Sequence, residues 1–235
     1  MRTLIIVPTY NERENVRQLV SQVHAVVPTA EVLVVDDGSP DGTADEVRAL
    51  QLDYAGVTLL ERQERGLGTA YGAGLRWGLE QGFDALVTMD ADLSHDARYL
   101  PAMLAAAEHQ DLVIGCRYIR DGGTVNWRIR RILLSWLANR FARFVLGLRG
   151  HDFTSGYRIY RRTLVERIDL ASIRSDGYSY LVEMLYVAQK AGATVAEVPI
   201  IFFDRRMGSS KISRREIYRG ALTLLRLRFR HGKQS

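Results

Sequence analysis

The chain has 235 residues, enough for one domain with a single core and a short extension. Its 47% hydrophobic and 25% charged residues suit a globular protein; no apolar stretch nears the roughly 20 residues of a membrane span, and a single cysteine, Cys116, excludes an intramolecular disulfide and any site built on several thiolates. The net charge of +5 is unevenly spread: residues 1–113 hold 8 Lys/Arg against 18 Asp/Glu, while 114–150 hold 8 arginines against one acid and 205–235 hold 10 cations against one, so the basic segments must face something anionic.

TLIIVP, residues 3–8, reads as a first strand, and its apolar run is too short and too quickly broken for a signal peptide. PTYNE follows, with Pro8 ending the strand, Tyr10 offering a flat face to a base and Glu12 an acceptor; the same string also reads as a plain strand–helix connection capped by Asn11. Residues 12–26 predict a helix with Val16, Leu19, Val20 and Val23 on one face. EVLVVDD is a second strand that runs into DDGSPDG, a dense turn cluster. There Asp36 and Asp37 can accept hydrogen bonds from a ribose or base, and Asp41 caps a helix reaching about Leu50. VTLLE is a third strand, and residues 66–82 a glycine-rich helix. Its glycines are not placed after the first strand as a dinucleotide fingerprint requires, and close packing of helix on sheet accounts for them. DALVTMD and DLVIGCR are the fourth and fifth strands.

This alternation implies an α/β fold with parallel pairing. In such sheets ligands bind beyond the carboxyl ends of the strands, so Thr9–Glu12, Asp36–Ser39, Asp90–His95 and Arg117 should converge on one edge. MDADLSH, residues 89–95, carries the strongest chemistry. Asp90 and Asp92 repel each other and call for a cation, and Mg²⁺ or Mn²⁺ takes oxygen ligands of this kind while bridging to substrate phosphates. A helix-capping turn is the alternative reading of the pair. RRMGSSK, residues 205–211, sets three cations around a Gly-Ser turn that could fold over a diphosphate or stand in solvent.

Residues 128–150 predict an Arg-rich amphipathic helix with Leu133, Trp136, Leu137, Phe141, Phe144 and Leu148 on its apolar face, and residues 215–233 are similar. Such helices lie on an anionic bilayer or pack into the core with solvated basic faces. The acidic first half and the scarcity of base-stacking side chains in the basic stretches argue against nucleic acid as a partner.

In order along the chain, PTYNE, VVDDGSPDGT, ERGLGTAYGAGL, MDADLSH, IGCRY, NWRIRR with SWLANRFAR, DFTSGYRIYRR and VPIIFFDRRMGSSK resemble the family 2 glycosyltransferases, and among them the polyprenol (dolichyl) phosphate mannose synthases. The resemblance covers nearly the whole chain. It implies a glycosyltransferase A fold, with a Rossmann-like, mostly parallel central sheet flanked by helices. It implies inverting transfer of mannose from GDP-mannose to a polyprenyl phosphate, giving polyprenyl phosphate β-mannose; a polyprenyl-phosphate glucosyltransferase is the alternative. On the family pattern Pro8, Tyr10, Glu12, Val35 and Asp37 would line the nucleotide site, and Asp90, Ala91 and Asp92 would hold Mg²⁺ or Mn²⁺ and the diphosphate. Arg117, Arg131, Arg205 and Lys211 would contact sugar or phosphates and, with Asp92, form the catalytic set. Ser94 stands where some relatives carry a glutamine that adds a metal contact. The expected organisation is a catalytic domain over 1–212 and a basic amphipathic helix over 213–235, with the enzyme held peripherally at the anionic cytoplasmic face of a membrane.

Overall fold

Five apolar runs in the first half of the chain become strands because each alternates side chains between two covered faces. In the computed structural model, which describes residues 1–204 and 223–229, β1 (Thr3–Thr9), β2 (Glu31–Asp36), β3 (Val57–Glu61), β4 (Ala85–Thr88) and β5 (Leu112–Cys116) alternate with α1 (Arg13–Val26), α2 (Thr43–Asp53), α3 (Leu67–Glu80) and α4 (Leu100–Ala107). Then come β6 (Gly123–Val125), α5 (Ile129–Leu146), β7 (Arg158–Arg161), α6 (Arg162–Arg167), α7 (Tyr178–Lys190), β8 (Val195–Pro199) and β9 (Ile201–Phe203).

The main sheet has the order β3-β2-β1-β4-β7-β5-β8, and β6 and β9 form a small parallel pair beside it. Pairings are parallel except at β7, which runs antiparallel between β4 and β5. The expected mostly parallel sheet flanked by helices is therefore present. Leu4, Ile6, Leu33, Val35 and Leu86 face one way and pack with residues of α3, α5, α6 and α7. Ile5, Val7, Val32, Val34 and Val87 face the other way onto α1, α2 and α4, where Val16, Leu19, Val20 and Val23 are fully buried as their spacing predicts.

Local details differ from the sequence reading for physical reasons. Helix α1 is capped at Glu12, because Asn11 sits in the left-handed region at φ 61°. Strand β4 stops at Thr88, and the Asp90 N–H turns away to the His95 side chain. Helix α2 starts at Thr43 behind Gly42, at φ 87°, while Asp41 reaches forward to accept the Thr43 N–H at 3.0 Å.

Helix α5 divides its apolar residues between core and surface. Ala142, Val145 and Leu146, with Leu148 just beyond, pack into the core, whereas Leu133, Trp136, Leu137, Phe141 and Phe144 are exposed. Residues 223–229 are helical, and their Leu224 and Leu227 join the same core while Arg228 donates to the Val145 carbonyl at 2.9 Å. This part of the expected membrane helix thus packs back on the end of α5, with Leu225 and Phe229 exposed. The boundary at 212 and the rest of 213–235 lie outside the described residues, as do Arg205 and Lys211. Among the described residues no helix is long and apolar enough to cross a membrane.

Candidate active site

The carboxyl ends of β1, β2, β4 and β5 open into one cleft of about 480 Å³, lined by Pro8, Tyr10, Glu12, Asp37, Asp90, Ala91, Asp92, Arg117 and Arg131 among others. The antiparallel β7 is what completes it. The turn that enters β7 carries Thr154, Ser155 and Gly156 to the cleft wall.

At one end, the Arg65 guanidinium lies 4.2 Å above the Tyr10 ring, a cation–π contact on the exposed aromatic face. Asp37 is almost buried and accepts from Arg62 Nε and the Gly66 N–H, each at 3.0 Å. Burial raises its carboxyl above the usual range, against the Gly66 amide and Arg62, which lower it. Asp37 therefore holds the 62–66 loop against the cleft. Asp36 turns inward instead: it accepts from Thr9 Oγ1 at 2.7 Å and from the Ser39 hydroxyl and N–H at 2.6 and 2.9 Å.

The acidic turn is built with care for its geometry. Leu93 takes φ 62°, a left-handed conformation that costs a branched residue about 1–2 kcal/mol. Asp92 Oδ1 accepts the Ser94 N–H at 3.0 Å. Asp90 presents its backbone N–H to His95 Nδ1 at 3.0 Å and its Oδ1 to the Tyr71 hydroxyl at 2.7 Å. An N–H donor on Nδ1 makes that nitrogen an acceptor, so the His95 proton sits on Nε2, 3.8 Å from Asp90 Oδ2. Burial lowers the His95 pKa, opposed by Asp90 and Asp92, which fits a neutral ring stacked on Tyr157 with centroids 4.9 Å apart. Two carboxylates on the cleft wall are hard oxygen donors suited to Mg²⁺ or Mn²⁺. Among the described residues no group of three or more His, Cys, Asp or Glu is arranged to hold a metal. Ser94 is buried with its hydroxyl unpaired, and it is absent from the cleft lining.

In the same cleft, Arg117 forms a buried fork-to-fork pair with Asp152: Nε to Oδ2 and Nη2 to Oδ1, both 2.7 Å. Nη2 also donates to Thr154 Oγ1 at 2.8 Å. Burial disfavours both charges, yet the pairing wins: the Asp152 carboxyl is held below its usual range and the Arg117 guanidinium above its own. Arg131, in the first turn of α5, packs 4.0 Å over the Trp127 ring and pairs with Asp204 at 2.6 Å.

The loop before β7 is anchored from several sides. Asn139 of α5 accepts the Phe153 N–H at 2.7 Å, and Thr88 donates to the Gly156 carbonyl at 2.7 Å. The fully buried Arg158 donates to the carbonyls of Phe153 and Ser155, both at 2.8 Å.

This cleft can be set beside known proteins. Residues 4–169 match the model of glycosyl transferase family 2. The chain belongs to that family. This family 2 transferase is 47% identical over 216 residues to a polyprenol monophosphomannose synthase of Mycolicibacterium smegmatis, covering 90% of this chain and 81% of the relative. It is 45% identical over 214 residues to an undecaprenyl-phosphate mannosyltransferase of Micrococcus luteus, covering 91% of this chain and 88% of the relative. Its fold matches glucosyl-3-phosphoglycerate synthase of Mycobacterium tuberculosis, solved with Mn²⁺, uridine diphosphate and phosphoglyceric acid, at a TM-score of 0.69 and 18% identity over 97% of this chain and 78% of that one. It also matches mannosyl-3-phosphoglycerate synthase of Rubrobacter xylanophilus at a TM-score of 0.68 and 21% identity, over 100% of this chain and 74% of that one. The transferase has the glycosyltransferase A fold.

Of the residues singled out from the sequence, the family 2 transferase brings Pro8, Tyr10, Glu12, Asp37, Asp90, Ala91, Asp92, Arg117 and Arg131 together around the cleft. Val35 is not on the cleft wall; it is fully buried in the core on β2. Arg65, His95, Trp127, Ser155, Tyr178 and Phe202 line the cleft without having been assigned a site role from the sequence. For Arg65, His95, Trp127, Ser155 and Phe202 the nearest signal was membership of the strings ERGLGTAYGAGL, MDADLSH, NWRIRR, DFTSGYRIYRR and VPIIFFDRRMGSSK, whose spacing alone says nothing of where they meet, and Tyr178 lies in none of these strings.

Proposed function

We propose that this transferase moves mannose from GDP-mannose to a polyprenyl phosphate at an anionic membrane surface, with inversion, giving polyprenyl phosphate β-mannose. The observation that carries this reading is the position of Arg131. It lines the cleft and also opens α5, whose outward side exposes Leu133, Trp136, Leu137 and Phe144. A substrate with a charged head and a long apolar tail needs such a route from lipid surface to reacting centre. The names of the two relatives described above agree with a mannosyl donor and a polyprenyl phosphate acceptor.

Each group then has a chemical part. Tyr10 and Arg65 offer flat faces to the nucleobase, and Glu12 and Asp37 offer acceptors to base and ribose. Asp90 and Asp92 would hold Mg²⁺ or Mn²⁺, which neutralises charge developing on the leaving diphosphate. Arg205 and Lys211, outside the described residues, would add cations to the same diphosphate. Arg131 and Arg117 would face the acceptor phosphate, the latter with its charge balanced by Asp152. A phosphate monoester with a second pKa near 6 is largely dianionic at neutral pH and needs no general base. His95 is in keeping with this: it is buried and neutral, with Nδ1 committed to the Asp90 amide. A direct attack on the anomeric carbon inverts it.

The enzyme is expected to work peripherally on the cytoplasmic face, with 1–212 as its catalytic part. Mass spectrometry of products from a panel of nucleotide sugars and polyprenyl phosphates tests the reading. Polyprenyl phosphate mannose formed from GDP-mannose is the expected outcome; transfer from a glucosyl donor in preference to GDP-mannose would overturn the donor assignment.

A further inference from the structure

Tyr71 lies on the glycine-rich helix α3 and is fully buried, so it touches no substrate. Its hydroxyl nevertheless ends 2.7 Å from Asp90 Oδ1, on the cleft wall. The glycines explain how a core tyrosine reaches that far. Residues 71, 74, 75 and 78 share one helix face, and that face is laid hard against β1 and β4. A Cβ at Gly74 would come within 2.3 Å of Ile6 Cγ2, and one at Gly78 within 2.3 Å of Leu86 Cδ2. Only because these positions lack side chains does α3 approach closely enough for the phenol to span the sheet edge beyond β4. On the other side of the same carboxylate stands His95, which takes the Asp90 N–H on Nδ1 at 3.0 Å and sets Nε2 3.8 Å from Asp90 Oδ2. Gly156 closes the group: its Cβ position lies 3.4 Å from Asp90 Oδ1, 3.5 Å from the Tyr71 hydroxyl and 3.6 Å from His95 Cε1.

We infer that Tyr71 and His95 are positioning residues for the metal site, holding Asp90 in a single orientation from behind so that the carboxylate meets the cation without first having to be ordered. The inference rests on the metal reading given above and adds to it the residues that prepare the ligand. Tyr71 occupies one face of Oδ1 and leaves the remaining lone pairs of the carboxylate to the cation. His95 fixes the main chain that carries it. Tyr71 stands outside the cleft lining and His95 meets the cleft only with a buried ring; both act through Asp90. Partners of this kind typically change metal affinity by about 10–100-fold when removed.

The test reads metal binding directly. Mn²⁺ is titrated into the full chain, alone and with GDP, and the free ion is followed by electron paramagnetic resonance. In Tyr71→Phe the ring still fills its place and only the hydroxyl is lost. Mn²⁺ affinity should fall by about tenfold or more, with the metal KM rising in step and the melting temperature little changed. His95→Phe keeps a ring on Tyr157 but removes the acceptor, and should weaken Mn²⁺ as well; His95→Asn returns an acceptor near the Nδ1 position and should recover most of the loss. Wild-type Mn²⁺ affinity in Tyr71→Phe would overturn the inference while leaving the metal reading intact. A loss of stability in Tyr71→Phe with unchanged Mn²⁺ affinity in its folded fraction would show a purely structural tyrosine and overturn it equally. Absence of Mn²⁺ binding by the wild type, with or without GDP, would overturn both readings.

Discussion

Phe144 offers a direct way to ask whether α5 seats on a lipid surface. It is 87% exposed on a helix that packs into the core only through its other side. Fully burying a phenylalanine contributes about 1.5–3 kcal/mol, so moving this one into an acyl boundary is worth about 2 kcal/mol. At 1.4 kcal/mol per factor of ten, Phe144→Ser should weaken vesicle binding by about 25-fold. Because the side chain makes little contact in the folded protein, stability should stay within about 0.5 kcal/mol of the wild type. Leu52 on α2 is the matching control: it is 89% exposed, but α2 covers the opposite face of the sheet. Co-sedimentation with vesicles of mixed neutral and anionic lipid gives the measurement. Arg128, Arg130 and Arg140 are exposed on or beside the same helix, so binding should also weaken at high salt. If Phe144→Ser binds as tightly as the wild type, or if Leu52→Ser loses as much, the exposed face of α5 is not the docking surface.

The metal reading predicts that Asp92→Ala abolishes turnover, that Asp90→Ala impairs it severely, and that chelator mimics both until Mg²⁺ or Mn²⁺ is restored; full activity in excess chelator would refute it. Arg131→Lys keeps the charge but loses the planar fork that suits phosphate, so the KM for the lipid acceptor should rise while GDP-mannose affinity, measured calorimetrically, changes little. Should donor affinity or stability suffer instead, the Asp204 pair is the residue's main task. Asp152→Asn leaves Arg117 buried without its counter-charge, a change that costs about 3–5 kcal/mol and on the order of 10 °C in melting temperature. Asp152 has a folded pKa below its unfolded value of about 3.9, so the stability it supplies is complete well above pH 4 and is lost as pH falls through the folded value. The acid limb of the stability profile should therefore be shallower in Asp152→Asn than in the wild type, and an unchanged limb would count against the pair.

The residues that decide this protein's chemistry were legible where the information is local. Continuous apolar runs identify β1 to β5, the spacing of Val16, Leu19, Val20 and Val23 orients α1, and polar residues at the strand ends mark the cleft edge, because each depends only on neighbours a few positions apart. Side-chain partners far along the chain were beyond such reading. That Arg117 would meet Asp152 and that Arg158 would be buried among main-chain carbonyls follow from β7 entering antiparallel between β4 and β5, and that Tyr71 would reach Asp90 follows from the close seating of α3 on β1 and β4. The pattern of α5 announces an apolar face, yet which part lies in the core depends on what packs against it. Tertiary contacts at Ala142, Val145 and Leu146 settle that, and they leave Phe144 and Trp136 outside. Likewise the acidic pair could be read in one dimension as a cap or as a metal site. Its placement in one cleft with Arg117 and Arg131 is a property of the assembled sheet, since a carboxylate's role is set by which charges and donors surround it.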